Sequence, residues 1–376
     1  MKIGIDAISA IGRSGNSTYT KELATHLEKL DKDNDYFLFS FLHDWGKKTP
    51  LSFSDRKNWH EVHPYISRTL LPFDRVDIIN DRLVRLIARL RGIDIFHFTN
   101  PLNFVSGSYA TVATIHDLST FHDTACGKSQ IQNVYAKKIR KIAKESQAII
   151  AVSEYTKKDI INFLGVSSEK ITVIYEAASG DFFPDRDIEY IQKKFGVEKY
   201  LLYVGQLQPR KNTLNLLKAW SNVSSNYPDY KLLLVGTVRD KKYFYALNDA
   251  IARGSIKDSV VFADSVNIAQ LRKLYSGARC FVYPSFFEGF GLPILEAMQC
   301  GTPVISSNSS SLQEVVGDAG PLVDPNNPEE IAGAIERVLY DDALHTGLVS
   351  RSLAQAKKFS WEKAAKETLA IYRKVV

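Results

Sequence analysis

Short runs of consecutive apolar residues recur along this chain. Between them lie stretches in which apolar positions return every three or four residues. The first pattern predicts strands buried on both faces, and the second predicts helices laid over them. In the first half the strands are predicted at 2–6, 36–42, 93–98, 111–115, 148–152 and 171–174, with helices at 17–30 and 129–146 among the intervening segments. In the second half they are predicted at 200–204, 231–235, 260–263, 280–283, 303–306 and 321–323. Alternation of this kind indicates βαβ units and parallel sheets. It pauses over 176–189, where Gly180, Pro184 and several acidic residues read as a linker. The expected architecture is two doubly wound α/β domains with a boundary near residue 185, binding ligands at the carboxyl ends of the strands that face a crevice.

With 376 residues the chain is long enough for two domains, and 45% hydrophobic with 24% charged residues is ordinary for a soluble globular protein. Such a length buries its own core without disulfides. Cys126, Cys280 and Cys300 lie far apart with no zinc-ligand spacing, and read as reduced, mostly buried thiols. The start reaches Asp6 before any apolar run of signal length, and no stretch of about 20 apolar residues follows. A chain kept in the cytoplasm is expected. The net charge of +6 is unevenly spread: residues 56–144 carry 14 basic and 7 acidic side chains. Arg82, Arg85 and Arg89 recur at helical spacing, with Leu83, Leu86, Ile87 and Leu90 on other faces. A basic amphipathic helix of this type can lie on an anionic membrane surface or form a plain solvated face. No basic stripe interleaved with aromatics suggests a nucleic-acid partner.

The segment 284–298, which includes Glu288, Gly289, Phe290, Gly291, Leu292, Pro293 and Glu296, follows a buried strand and runs into a helix. Pro293 suits a first helical turn, which places the amides of Gly289 to Leu292 at or just before the helix N-terminus. Free amides and the helix dipole together attract phosphate, and the glycines allow close approach. Glu288 in the loop and Glu296 in the helix can then reach different parts of one ligand, accepting hydrogen bonds from sugar hydroxyls. A glycine turn whose glutamate merely complements the dipole would look similar. In segment 205–212, Gly205 closes a strand, and Arg210 and Lys211 stand at the strand-to-helix turn, where two cations can clamp a diphosphate or simply decorate a surface. The loop 12–18, with Gly15 and Asn16, opens a helix after the first strand. It lacks the lysine ending of a phosphate-binding loop and the G-x-G-x-x-G spacing. His97 and His116 sit at strand ends, where each could meet a sugar or be a satisfied core histidine.

Taken together these residues resemble family 4 of the retaining glycosyltransferases, over nearly the whole chain. The likeness is strongest from Phe287 to Pro293 and on to Glu296, a glutamate pair separated by seven residues, and extends to Val204-Gly205, Lys211-Asn212, 114–117, Val152-Ser153, Leu271, Tyr275 and 359–362. The resemblance implies the GT-B fold, two Rossmann-like domains facing across a cleft. Residues 1–185, completed by a returning helix 360–376, would bind the acceptor, and 186–359 the nucleotide sugar. It further implies that Arg210 and Lys211 neutralise the donor diphosphate, Glu288 holds hydroxyls of the transferred sugar and Glu296 those of the ribose. Gly205, Gly289, Phe290, Gly291 and Leu292 would line the donor site, His116 would face the sugar near the reacting carbon, and Gly15 and Asn16 would approach donor or acceptor. This chain departs from the family at Gln206 and Leu207, where an arginine is frequent, and at Glu176-Ala177, where Asn-Gly is usual.

The expected reaction is hexosyl transfer with retention from a nucleoside-diphosphate sugar, GDP-mannose-like first and UDP-hexose second. The expected acceptor is a saccharide or lipid-linked saccharide used in surface polysaccharide. No Asp-x-Asp triplet suited to Mg²⁺ stands at a strand end, so neither metal nor other cofactor is expected. A nucleotide-sugar epimerase of the same architecture and a non-catalytic sugar-nucleotide-binding protein are the alternatives. An epimerase needs acid/base carboxylates across the cleft, and an intact Arg210, Lys211, Glu288 and Glu296 set argues against a degenerate binder.

Overall fold

The computed structural model describes residues 1–11, 15–41, 57–65, 73–122, 130–238 and 240–376. Contacts divide the chain into two compact units. The first holds Met1–Phe121, residues 130–176 and Ser360–Val376; the second holds His122 and Ala177–Phe359. The chain thus passes to the second unit after Glu176, upstream of residue 185.

In the first unit β1 (Lys2–Asp6), β2 (Asp35–Phe41), β3 (Trp59–Tyr65), β4 (Ile95–Phe98), β5 (Ala110–Ile115), β6 (Ala148–Ala151) and β7 (Ile171–Val173) form one sheet in the order β3-β2-β1-β4-β5-β6-β7. Every pairing is parallel. Burial on both faces accounts for the all-apolar reading of the central strands: Ile3, Ile5, Ile95, Phe96 and Phe98 expose almost nothing. The strand at Trp59–Tyr65 has no counterpart in the sequence reading. His60, Glu61, His63 and Pro64 interrupt its apolar pattern, which an edge position tolerates. The final helix Trp361–Val375 starts at Ser360, whose hydroxyl accepts from the Lys363 amide, and returns to this unit. Trp361 packs edge-on to Tyr19 of the helix Gly15–Leu30, their ring centres 5.7 Å apart.

The second unit contains β8 (Lys199–Val204), β9 (Tyr230–Val235), β10 (Val260–Ala263), β11 (Cys280–Tyr283), β12 (Val304–Ser307) and β13 (Leu322–Val323), ordered β10-β9-β8-β11-β12-β13 and again all parallel. In both sheets the strand order reverses once, between β1 and β4 and between β8 and β11. Such switch points are where doubly wound sheets bind ligands, because the connections diverge there and leave the strand ends open. Cys280 and Cys300 are buried free thiols, and burial pushes each up to about 12; Cys126 lies outside the described residues. The linker residues pack on the second unit. Gln299 donates to the carbonyls of Ser179 and Phe182, and Arg272 pairs with Asp185 at 2.9 Å. No described helix is long and apolar enough to cross a membrane.

Candidate active site

The segments leaving β8 and β11 meet at the switch point of the second sheet. After β8 the chain turns past Gly205, whose amide donates to the Val235 carbonyl at 2.9 Å. It crosses directly over Gly236, where a Cβ would stand 1.9 Å from the Gly205 carbonyl oxygen; with φ at +155°, that position requires glycine. The turn ends at Arg210 and Lys211. Asn212 then pins it, donating from Nδ2 to the carbonyls of Pro284 (2.9 Å) and Pro325 (2.6 Å). Two loops from neighbouring strands are therefore fixed to each other.

The fixing brings Arg210, Lys211 and Glu288 together, although nearly 80 residues separate the cations from the carboxylate in sequence. Arg210 Nη1 lies 3.0 Å from Glu288 Oε2, and Lys211 Nζ lies 2.6 Å from Oε1. Two further side chains, neither signalled by the sequence, converge on Oε1: Tyr283 donates at 2.9 Å and Ser285 at 2.7 Å. Lys211 also donates to the Tyr283 hydroxyl at 2.7 Å and sits over its ring. Ser310 accepts from the Glu288 amide, and Ser311 donates to the carbonyls of Glu288 and Phe290, which sets the loop's shape. Burial alone would raise the Glu288 carboxyl, but Arg210 and Lys211 outweigh it and hold it at about 2. It is a carboxylate at any physiological pH.

The helix Leu292–Gln299 begins directly behind this cluster. Gly291 occupies its cap position at φ +111°, Pro293 falls in its first turn, and no side chain caps it. A backbone end of this kind presents amides and positive partial charge. Glu296 lies on the same helix, partly buried, accepting from the Tyr275 hydroxyl at 3.1 Å. Burial with so little compensation pushes it up to about 7. The two glutamates thus differ in kind: Glu288 is a fixed charge, whereas Glu296 is poised between neutral and ionised.

His116, Gly15 and Asn16 belong to the first unit. Gly15 is exposed at the start of its helix, and the Asn16 carbonyl accepts from Thr20; residues 12–14 of the same loop lie outside the described residues. His116 is buried at the end of β5. Its Nδ1 lies 2.9 Å from Glu176 Oε1 and its Nε2 3.0 Å from the Thr99 carbonyl. Glu176 is one of the residues at which the chain departs from the family it resembles, and here that departure supplies the carboxylate facing His116. A carboxylate and a carbonyl thus flank the two ring nitrogens and fix the orientation of the ring. His97 bridges Tyr372 (2.6 Å) and Thr114 (2.8 Å), and burial, assisted by His116, lowers it to about 3. It ties the returning helix to the sheet and is a core histidine.

The chain is similar to known proteins over most of its length. Residues 13–178 match the family model described as Glycosyltransferase Family 4, and residues 185–355 match Glycosyl transferases group 1. O-antigen chain mannosyltransferase B of Escherichia coli is 36% identical over 267 residues, covering 70% of this chain and 70% of that protein. The chain spans about a third of the length of the next curated relatives it matches. Among solved structures, sucrose-phosphate synthase from Thermosynechococcus elongatus superposes with a TM-score of 0.81 at 21% identity, over 100% of this chain and 98% of that one. Anabaena HepE in complex with UDP and glucose does so with 0.74 at 17% identity, over 99% of each chain. The chain belongs to family 4 of the glycosyltransferases, the glycosyl transferases of group 1, and has the GT-B fold.

Proposed function

We propose that this glycosyltransferase moves a hexosyl group, with retention and without a metal, from a nucleoside-diphosphate sugar to a saccharide or lipid-linked saccharide of a cell-surface polysaccharide. The donor is GDP-mannose-like, with a UDP-hexose as the second choice. The observation that carries the reading is the convergence of Arg210, Lys211 and Glu288 at the strand ends before an uncapped helix N-terminus. The name of the mannosyltransferase relative supports a mannosyl donor, and the UDP and glucose bound by Anabaena HepE support a nucleoside-diphosphate site.

Sugar transfer requires charge to build on the leaving diphosphate. Arg210, Lys211 and the backbone amides of Gly289 to Leu292 are preorganised to receive it, which removes the need for a bound cation. Glu288 accepts from hydroxyls of the transferred sugar, Glu296 accepts from the ribose, and Gly205 lines the donor site. The roles expected of His116, Gly15 and Asn16 near donor and acceptor belong to the same proposal. The acceptor oxygen bonds to the anomeric carbon on the face from which the diphosphate leaves. The carbon–phosphate oxygen bond breaks, and the acceptor proton passes to the departing phosphate oxygen.

A peripheral position on the inner face of the cytoplasmic membrane is part of the reading. On the helix Phe73–Arg91, Ile78, Leu86 and Leu90 are 55%, 54% and 75% exposed beside exposed Arg82, Arg85 and Arg89. Leu86 and Leu90, expected on other faces than the arginines, are thus exposed with them, a mixture that suits the anionic lipid interface. Replacing the three arginines with glutamine is expected to abolish sedimentation with anionic vesicles; unchanged sedimentation contradicts the membrane role. For the reaction, free GDP appearing from GDP-mannose only when an oligosaccharide acceptor is present is the expected result. Isomerised donor without an acceptor, or binding without turnover of any nucleotide sugar, contradicts it.

A further inference from the structure

Glu288 accepts from four side-chain donors. Oε1 accepts from Lys211, Tyr283 and Ser285, and Oε2 accepts from Arg210. A carboxylate offers about four acceptor positions, and these four donors take them all. The ion pairs are also screened from water: the Arg210, Lys211 and Glu288 side chains are 19%, 12% and 10% exposed. A diphosphate added beside an ionised Glu288 in this setting would meet like charge at short range.

We propose that Glu288 is the resident counter-ion of the diphosphate site, and that an arriving diphosphate takes its place on Arg210 and Lys211. This rests on the assignment of those two cations to the donor diphosphate. Before binding, Glu288 neutralises the two partly buried cations and helps to hold them in position. On binding, the cations turn to phosphate oxygens. The neutral donors Tyr283 and Ser285 remain on Oε1 and keep the carboxylate from following, while Oε2 is released for a sugar hydroxyl. The exchange gives the two unforeseen hydroxyls a purpose: they retain Glu288 after its charge partners have left. It also makes the sugar-binding carboxylate available only once a diphosphate is in place.

Inorganic pyrophosphate carries the diphosphate without base or sugar, so its affinity, measured by titration calorimetry, reads the exchange. Glu288→Gln keeps the side chain's size and removes the competing charge. It is expected to bind pyrophosphate about tenfold more tightly than the unaltered protein, about 1.4 kcal/mol, while hexosyl transfer falls. Should that variant fail to fold, Glu288→Asp, which withdraws the carboxylate from the cations, is expected to tighten binding about threefold. Unchanged or weakened pyrophosphate affinity in a folded Glu288→Gln or Glu288→Asp protein overturns the exchange. Lys211→Ala separates the two levels. If it leaves pyrophosphate affinity unchanged, the underlying cation assignment fails; if it weakens affinity while Glu288→Gln shows no gain, only the exchange fails.

Discussion

Replacing Lys211 with alanine removes one positive charge from a place where the surroundings have been built around it. Its Nζ lies 2.6 Å from Glu288 and 2.7 Å from the Tyr283 hydroxyl, with the side chain only 12% exposed. Two effects follow and have different sizes. Deleting one preorganised electrostatic donor to a developing charge costs about 10²–10³ in turnover, about 2.7–4 kcal/mol. Breaking a buried pair costs about 3–5 kcal/mol when the partner is left uncompensated. Glu288 keeps Arg210, Tyr283 and Ser285, so the stability loss should be below that range, about 1–3 kcal/mol. Turnover at saturating donor and acceptor, followed by nucleoside diphosphate release, measures the first effect. Urea unfolding measures the second, and Lys211→Met, which refills the space without the charge, should restore stability more than turnover. Turnover within twofold of normal in a folded Lys211→Ala protein would remove Lys211 from stabilising the leaving diphosphate.

Glu296 is predicted to trade stability for binding. Because burial holds it at about 7 against an ordinary 4.5, the native state retains a proton that the unfolded chain gives up. The resulting penalty is absent below pH 4.5, grows as pH rises, and is complete just above pH 7. Glu296→Gln should therefore raise the melting temperature relative to the unaltered protein at pH 8 and not at pH 4, while weakening nucleoside diphosphate binding; an equal gain at both pH values would contradict the cause assigned to the shift. Tyr372→Phe takes the hydroxyl partner from buried His97 and should cost about 1–3 kcal/mol in urea unfolding. A cost near zero would show that the returning helix does not depend on that bond.

The strands were legible because both faces of each central strand are buried, which writes a continuous apolar run into the sequence. Trp59–Tyr65 escaped because an edge strand has no such requirement and can carry His60, Glu61, His63 and Pro64. At the site, the charged residues and glycines stood out because each group lies within a single strand-to-helix loop. Tyr283 did not: it lies in a buried strand and reads as core, and the lysine it supports is 72 positions away. Ser285, Ser310 and Ser311 are ordinary loop residues until the fold gathers them around Glu288. Glu176 shows the same limit, since its partner His116 is 60 residues distant and only the neighbouring strands β5 to β7 bring the two together. Spacing along the chain reveals chemistry within one loop; partners contributed by a different strand appear only with the topology.

A crystal structure with GDP or UDP bound would show where the diphosphate lies. Diphosphate oxygens are expected within hydrogen-bonding distance of Lys211 Nζ and the Arg210 guanidinium, in line with the amides at the start of the helix Leu292–Gln299, with the ribose hydroxyls on Glu296. A nucleotide held by other residues, with Arg210 and Lys211 still bonded to Glu288, would rule out this donor site.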